Sequence, residues 1–387
     1  MTKTTLGNLC LPAAKQVKLQ PDDVIDYFDI SSLDNISKNI IKYETYRFAD
    51  APSRARKPLK RGNVLISTVR PNLNAIAIFN QSTENFPIAS TGFCVLECKP
   101  TVNPRFVFNF CCSNAFIEQM TSQATGASYP AVTDKIVRNA ILPDYSLMQQ
   151  NEIAYVLDNL SNIIANRKKQ FSKLDELVKA RFVEMFGDPK LNPYNFSCDK
   201  LSEYITFLTS GSRGWSQYFT DSGEYFITIK NVKNCKITLQ DVQYVIPPDN
   251  AEAKRTKVQK NDLLISITAD LGRTGVVTEE IANHGAYINQ HLTCIRLKNE
   301  QVNPLYVAYY MESDAGKEQF TAKNQSAVKA GLNFNAINSL KLMVPPLSLQ
   351  NQFAAFVEEV DKQKQNVQQS LDKLELLKKA LMQEYFG

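Results

Sequence analysis

Arg54, Arg56, Lys57, Lys60 and Arg61 fall in a short stretch that holds no acid and leads directly into the apolar run Val64 to Ser67. Lys254, Arg255, Lys257 and Lys260 lead in the same way into Leu263 to Ser266, so both halves place cations at an equivalent loop. Cations crowded before a strand suit contacts to phosphates, which set position, while nearby Asn, Gln, Arg and Ser side chains have the donors and acceptors to read base edges. For either loop alone a solvated basic surface explains the pattern equally well; the recurrence favours a shared role. Arg70, Asn72, Asn74 and Tyr129 join the candidates in the first half, and Ser212, Arg213, Trp215 and Arg273 in the second. At Tyr129 and Trp215 an exposed ring suits stacking on a base or wedging a step, whereas a buried ring is a packing residue.

Residues for catalysis are sparse. The only histidines are His284 and His291, and with Cys294 they are too few and too irregular for a zinc site, so they read as polar loop residues near a strand. The chain has no Gly-rich phosphate loop, no GxGxxG, and no Asn-Pro-Pro-Tyr or Asp-Pro-Pro-Tyr tetrapeptide for holding a flipped base; Pro345 and Pro346 follow Val344. Pro248, Asp249, Glu252 and Lys254 superficially resemble the carboxylates and lysine of metal-dependent nucleases, but one Pro-started loop does not supply the two-strand geometry of such a site. The expectation is a binding protein with no catalytic residue, metal or cofactor of its own.

The elements that must position these residues are repeated. Phe171, Leu174, Leu177, Lys179, Ala180, Glu184, Phe186 and Gly187 recur, at an offset of 200, as Leu371, Leu374, Leu377, Lys379, Ala380, Glu384, Phe386 and Gly387. Gly62 to Ser67 resembles Asn261 to Ser266, and Val102-Asn-Pro104 recurs at Val302-Asn-Pro304, each followed by an aromatic-rich helical pattern through Phe116 or Tyr310. Apolar strand-like runs such as Ala75 to Phe79 and Tyr225 to Ile229, divided by Asn, Asp, Gly and Pro, read as mixed domains. The expected fold class is α+β: two globular mixed domains, 1–145 and 188–345, separated by two long antiparallel coiled-coil helices, 146–187 and 346–387, in a pseudo-twofold internal repeat.

Ser146 with Gln149 forms a capping box that starts the first helix, and Pro345, Pro346 and Ser348 are assigned the same part in the second. The first seam reads Ile153, Leu157, Leu160, Ile164, Phe171, Leu174, Val178 and Met185, interrupted by Arg167 and Arg181. The second reads Phe353, Val357, Val360, Val367, Leu371, Leu374, Leu381 and Tyr385, interrupted by Lys364 and Lys378. Gly187 before Pro189 is a helix stop, because Gly accepts the left-handed cap and Pro cannot continue the ladder. A helix from Leu147 to Phe186 is roughly 60 Å long at 1.5 Å per residue, and if the second domain sits at its far end the second helix must run back along it.

With 387 residues, 44% hydrophobic and 21% charged, the chain has the substance for two or three folded domains, and its net charge of +5 permits an acidic partner without requiring one. The eight cysteines form no CxxC pair and no regular framework, which suits a reducing cytoplasm with Cys10 as a buried thiol. No apolar run approaches the roughly 18 to 20 residues of a membrane span, and Met1 to Leu11 does not read as a secretion signal.

Taken in order, Pro52-Ser-Arg-Ala55, Leu65-Ile-Ser-Thr-Val-Arg-Pro71, Ala89-Ser-Thr-Gly-Phe93, the Pro-Pro-Leu-Ser starting at Pro345, and the helix endings Phe186-Gly-Asp188 and Phe386-Gly387 resemble the specificity subunits of type I restriction-modification systems, over nearly the whole chain. The second half departs at Ile267-Thr-Ala269, where the first has Thr68-Val-Arg70, so base-reading roles do not transfer between halves. The resemblance implies two target-recognition domains, each reading one half of a split double-stranded DNA sequence, with the helices as spacer and docking surface for two methyltransferase subunits. It also implies no catalysis by this chain: S-adenosylmethionine, ATP and magnesium would serve the methyltransferase and the restriction and motor subunits. One rival expectation is a two-headed coiled-coil scaffold that binds proteins instead of DNA; the other is a self-contained restriction or methylation enzyme, which the short length and absent cofactor motifs disfavour.

Overall fold

The computed structural model describes residues 2–324 and 331–387. By internal contacts the chain forms two units, Met1–Gln170 with Val367–Gly387, and Phe171–Asn366. In each unit the beginning of one long helix and the end of the other join a mixed domain.

In the first unit the buried strand Val64–Ser67 lies between Phe93–Leu96 and Ile76–Ile78, antiparallel to both. All four of its residues are inaccessible, as an apolar, β-branched run flanked on both faces should be. A second sheet runs Glu44–Arg47, Val24–Phe28, Phe86–Ser90, Ala55–Pro58, with Val24–Phe28 parallel to Phe86–Ser90. The second unit repeats the plan: Leu263–Ser266 is held between Leu292–Leu297 and Thr274–Val276, and Glu224–Ile227 runs parallel to Ala286–Ile288 in another sheet. Each aromatic-rich helical pattern is broken in two, Pro104–Cys111 with Asn114–Gln123 and Pro304–Glu312 with Asp314–Lys323. The break falls at Ser113 and Ser313, whose hydroxyls cap the following helix by accepting from the Phe116 and Gly316 amides at 3.2 and 3.3 Å.

The long helices span Leu147–Phe186 and Leu347–Phe386, 40 residues each. Ser146 and Gln149 make the capping box: the Gln149 amide donates to Ser146 Oγ at 3.4 Å and the Ser146 amide to Gln149 Oε1 at 3.0 Å. The second helix starts differently. Ser348 lies inside it, and the end is tied by the Leu349 amide to the Pro346 carbonyl at 2.9 Å.

In the first unit Ile153 and Leu157 share a core with Phe386 and Leu381, and Lys168 pairs with Glu375 at 2.7 Å. In the second, Phe182 meets Phe353 with ring centroids 5.3 Å apart, while Lys364 pairs with Asp175 and lies 4.7 Å from the Phe171 ring. Early residues of one helix therefore meet late residues of the other within each unit, which is antiparallel pairing. Leu160, Ile164, Leu174, Val178, Val357, Val360, Val367 and Leu371 are buried, whereas Phe171, Leu374 and Leu381 are only half-buried. The seams do not end on Met185 and Tyr385, which are half-buried; the buried terminal rings are Phe182, Phe186 and Phe386. The reason is that the terminal rings reach the mixed domains: Phe386 packs on Phe106 and Phe110 at 5.5 and 5.7 Å, and Phe186 on Tyr306 at 4.7 Å while still meeting Phe353 of the other helix at 5.6 Å. Gly187, at φ +76, follows immediately, and a Cβ there would stand 2.3 Å from Pro193.

Two buried glutamines fasten each helix to its domain at matching positions. Gln150 Oε1 accepts from the Asn103 amide at 3.0 Å and its Nε2 donates to the Tyr145 carbonyl at 2.8 Å; Gln350 does the same with Asn303 at 2.9 Å and Pro345 at 2.7 Å. All eight cysteines are free, and burial pushes the Cys94 thiol up to about 12 and Cys112 up to about 11.

Candidate nucleic-acid interface

The two basic segments differ in local structure. Arg56 and Lys57 lie in the strand Ala55–Pro58, whereas Lys254 and Arg255 lie in the short helix Ala251–Thr256. Lys57 is a tie within the fold: its Nζ donates to Asp134 Oδ2 and to the Phe93 carbonyl, both at 2.6 Å. Lys60 pairs with Glu97 at 2.9 Å. Arg54 and Arg61 are exposed and form no ion pair among the described residues; Arg56 is half-buried, 5.4 Å from the Phe48 ring. In the second domain Lys254 pairs with Asp249 at 2.9 Å, Lys257 with Glu224 at 3.0 Å and Lys260 with Glu279 at 2.8 Å. The Glu224 carboxylate beside Lys257 holds its ammonium pKa above the usual lysine range. Arg255 donates to Thr209 Oγ1 and, at 2.9 Å, to the Ser210 carbonyl, while Arg273 pairs with Asp270. Exposed pairs of this kind contribute roughly 0–1 kcal/mol, so a phosphate can compete with the carboxylate. They nonetheless leave the second domain's cations more neutralised than the first's.

Three side chains singled out from sequence are buried. Trp215 is 3% exposed and stacks on Phe226 with centroids 5.3 Å apart, with Tyr287 at 5.0 Å. It is a core residue, because five aromatic or apolar side chains close around the indole where sequence gave only one turn of neighbours. Asn74, at φ +49, ends the turn Pro71–Leu73; its Nδ2 donates to the Cys111 carbonyl at 2.9 Å and its Oδ1 accepts from Lys38 at 2.9 Å, so its amide is spent. Ser212 is also buried, in a parallel bridge to Asn289, with no hydrogen-bond partner for its hydroxyl among the described residues; Arg213 beside it is exposed.

The structure does bring Arg70 and Tyr129 together. Arg70 adopts φ +49, its amide donates to the Pro130 carbonyl at 2.7 Å, and its guanidinium lies 4.6 Å from the Tyr129 ring centre. Tyr129 is 67% exposed and Asn72 is exposed on the same turn as Arg70. The matching place in the second domain holds Ala269, also left-handed at φ +58. Around it the pairing is conserved in kind: Val132 donates to the Thr68 carbonyl and Leu332 to the Ile267 carbonyl, each at 2.9 Å.

The residues considered for metal chemistry lie apart. His284 Nε2 meets the Gly223 carbonyl at 2.9 Å, His291 Nδ1 meets Thr268 Oγ1 at 2.7 Å, and Cys294, its pKa raised by burial, donates to Asp262 at 3.2 Å. No metal-ligating cluster occurs among the described residues.

Residues 217–376 match the family described as "Type I restriction modification DNA specificity domain". Over this stretch the chain is similar to type I specificity proteins. Among curated relatives, the HindI specificity subunit of Haemophilus influenzae is 25% identical over 45% of this chain and 38% of its own length. The MjaVIII specificity subunit of Methanocaldococcus jannaschii is 20% identical over 68% of this chain and 65% of its own, and the EcoBI subunit of Escherichia coli 18% identical over 67% and 59%. The chain thus spans less than two thirds of the length of these specificity-family relatives. A solved chain described under complex assembly and conformational transition of the type I restriction-modification system matches 99% of this chain and 97% of its own, at TM-score 0.64 and 23% identity. The S subunit from M. genitalium matches 100% and 96% at TM-score 0.60 and 14% identity. These two likenesses show that the chain shares its fold with both solved chains.

Proposed function

We propose that the chain is the DNA sequence-specificity subunit of a type I restriction-modification complex. Each mixed domain takes one half of a bipartite double-stranded site, and the long helices receive two methyltransferase subunits, through which restriction and motor subunits join. The chain performs no catalysis; S-adenosylmethionine, ATP and magnesium belong to its partners, and the complex works in the cytoplasm. No helix among the described residues is long and apolar enough to cross a membrane.

The observation that carries this reading is the repetition of one domain plan with different surfaces. The buried strand, the parallel pair, the glutamine fastening and the left-handed turn recur, while Arg70 gives way to Ala269 and the paired cations differ. A duplicated frame carrying two unlike faces suits two unlike half-sites, since phosphate contacts position and side chains at base edges specify. The protein-scaffold alternative has no comparable support from the family.

The test is to replace residues 190–343 by the corresponding segment of a relative and map methylated bases in a host carrying the matching methyltransferase. One half of the modified sequence should change and the other should stay. Loss of both halves in a folded, assembled complex, or no sequence-dependent methylation by the parental complex, would sink the proposal.

A further inference from the structure

We propose that Arg70, resting over the Tyr129 ring, reads a guanine in the half-site taken by the first domain, and that the second domain makes no such contact at the equivalent place. This rests on the reading of the chain as a DNA-specificity subunit. Two separate segments build the tip. The turn after Val64–Ser67 puts Arg70 in a left-handed conformation, tied by its amide to Pro130 at 2.7 Å. The other segment is a tight hairpin closed by reciprocal Thr125 and Ala131 bonds of 3.0 and 2.9 Å. Gly126 sits at φ +104 in that hairpin, and a Cβ there would stand 2.9 Å from the Tyr129 carbonyl, so glycine lets the chain fold tightly enough to present the ring.

The guanidinium lies 4.6 Å from the Tyr129 ring centre and makes no hydrogen bond or ion pair among the described residues. The guanidinium thus rests over a ring while its donors are free. Guanine presents O6 and N7 as a matching pair of acceptors in the major groove, the commonest bidentate partner of arginine. An arginine that only steers phosphates needs no ring to rest on, and exposed Arg54 and Arg61 have no such ring contact among the described residues. The second domain supplies an internal comparison. Ala269 holds the same backbone conformation at φ +58 with no side chain to extend, so the frame is kept and the reading group is absent.

Ala269 also indicates that Arg70→Ala is compatible with the fold. The experiment uses the full complex with its methyltransferase, comparing the parent with R70A, R70K and Y129L by modified-base mapping and by binding to sites altered one base pair at a time. R70A should relax a single G·C position of one half-site, with discrimination there falling roughly 10- to 100-fold and the other half unchanged. R70K should relax the same position, because an ammonium lacks the fork, and Y129L should do so less strongly. An unchanged motif overturns the inference, whether affinity is intact or falls uniformly with a shallower salt dependence; the latter marks a phosphate contact. A parental complex without any bipartite motif would instead bring down the broader reading on which the inference stands.

Discussion

Lys57 and Arg61 are close in sequence yet have different surroundings: Lys57 is tied to Asp134 and the Phe93 carbonyl at 2.6 Å, and Arg61 is exposed without an ion pair. The charge pattern marked both equally. What separated them was an acid 77 residues further along the chain, and Lys60 likewise found Glu97 37 residues away. Partners that distant follow from tertiary packing, which local composition does not encode, so cation positions were legible and their availability was not. Exchanging Arg54 and Arg61 together for Gln should lower the salt dependence of DNA binding by about 0.9 in slope for each lost phosphate contact while leaving the unfolding transition in place. Lys57→Met should do the reverse: destabilise the fold by about 1–3 kcal/mol, because two acceptors lose their donor, with little change in slope. Gel-shift titrations across a salt series, beside urea unfolding, distinguish them; an unaltered slope for the Arg54 and Arg61 variant would exonerate both arginines as phosphate contacts.

At the scale of elements, periodicity revealed the 40-residue helices, their repeat and most of the buried seam, because a long apolar stripe on a helix has a strong local signature. It failed at the ends. Met185 and Tyr385 continue the three-four spacing, yet the buried rings are Phe186 and Phe386, since at the last turn a mixed domain adds cover through Tyr306 or through Phe106 and Phe110. The same limit hid the Gln150 and Gln350 fastenings, although Asn103, Gln150 and Asn151 recur at the same offset as Asn303, Gln350 and Asn351, which is a readable signal. Phe186→Ala and Phe386→Ala should each cost about 3–5 kcal/mol, as deletion of a fully enclosed ring does. The structure adds a location: Phe386 packs on Phe106 and Phe110 of the first unit, and Phe186 on Tyr306 and Phe353 of the second. Amide exchange should therefore quicken in Phe106–Phe110 for the first variant and around Tyr306 for the second. Exchange that quickens equally in both regions for both variants would contradict separate anchoring.

For the whole molecule, the relevant fact is covalent: each long helix contributes residues to both units, 147–170 and 171–186 from one, 347–366 and 367–386 from the other. A helix is stiff over this length, and each residue advances it by a fixed 1.5 Å, so helix length is a parameter of the protein that neither domain can alter by itself. On the proposed reading it sets the number of unread base pairs between the half-sites. Removing one heptad from the middle of both helices keeps each apolar stripe in phase and shortens each by about 10 Å, which is about three base pairs at 3.4 Å per step. Methylation mapping of such a variant should return both half-sites intact and a spacer shorter by about three. Changing only one helix should instead misalign the facing seams, where Lys168 meets Glu375 and Lys364 meets Asp175, and lower stability before it moves the spacer. An active, assembled double-deletion variant that methylates with the parental spacer would mean that the helices do not measure the site, and that the gap is set within the recognition domains or by the partners.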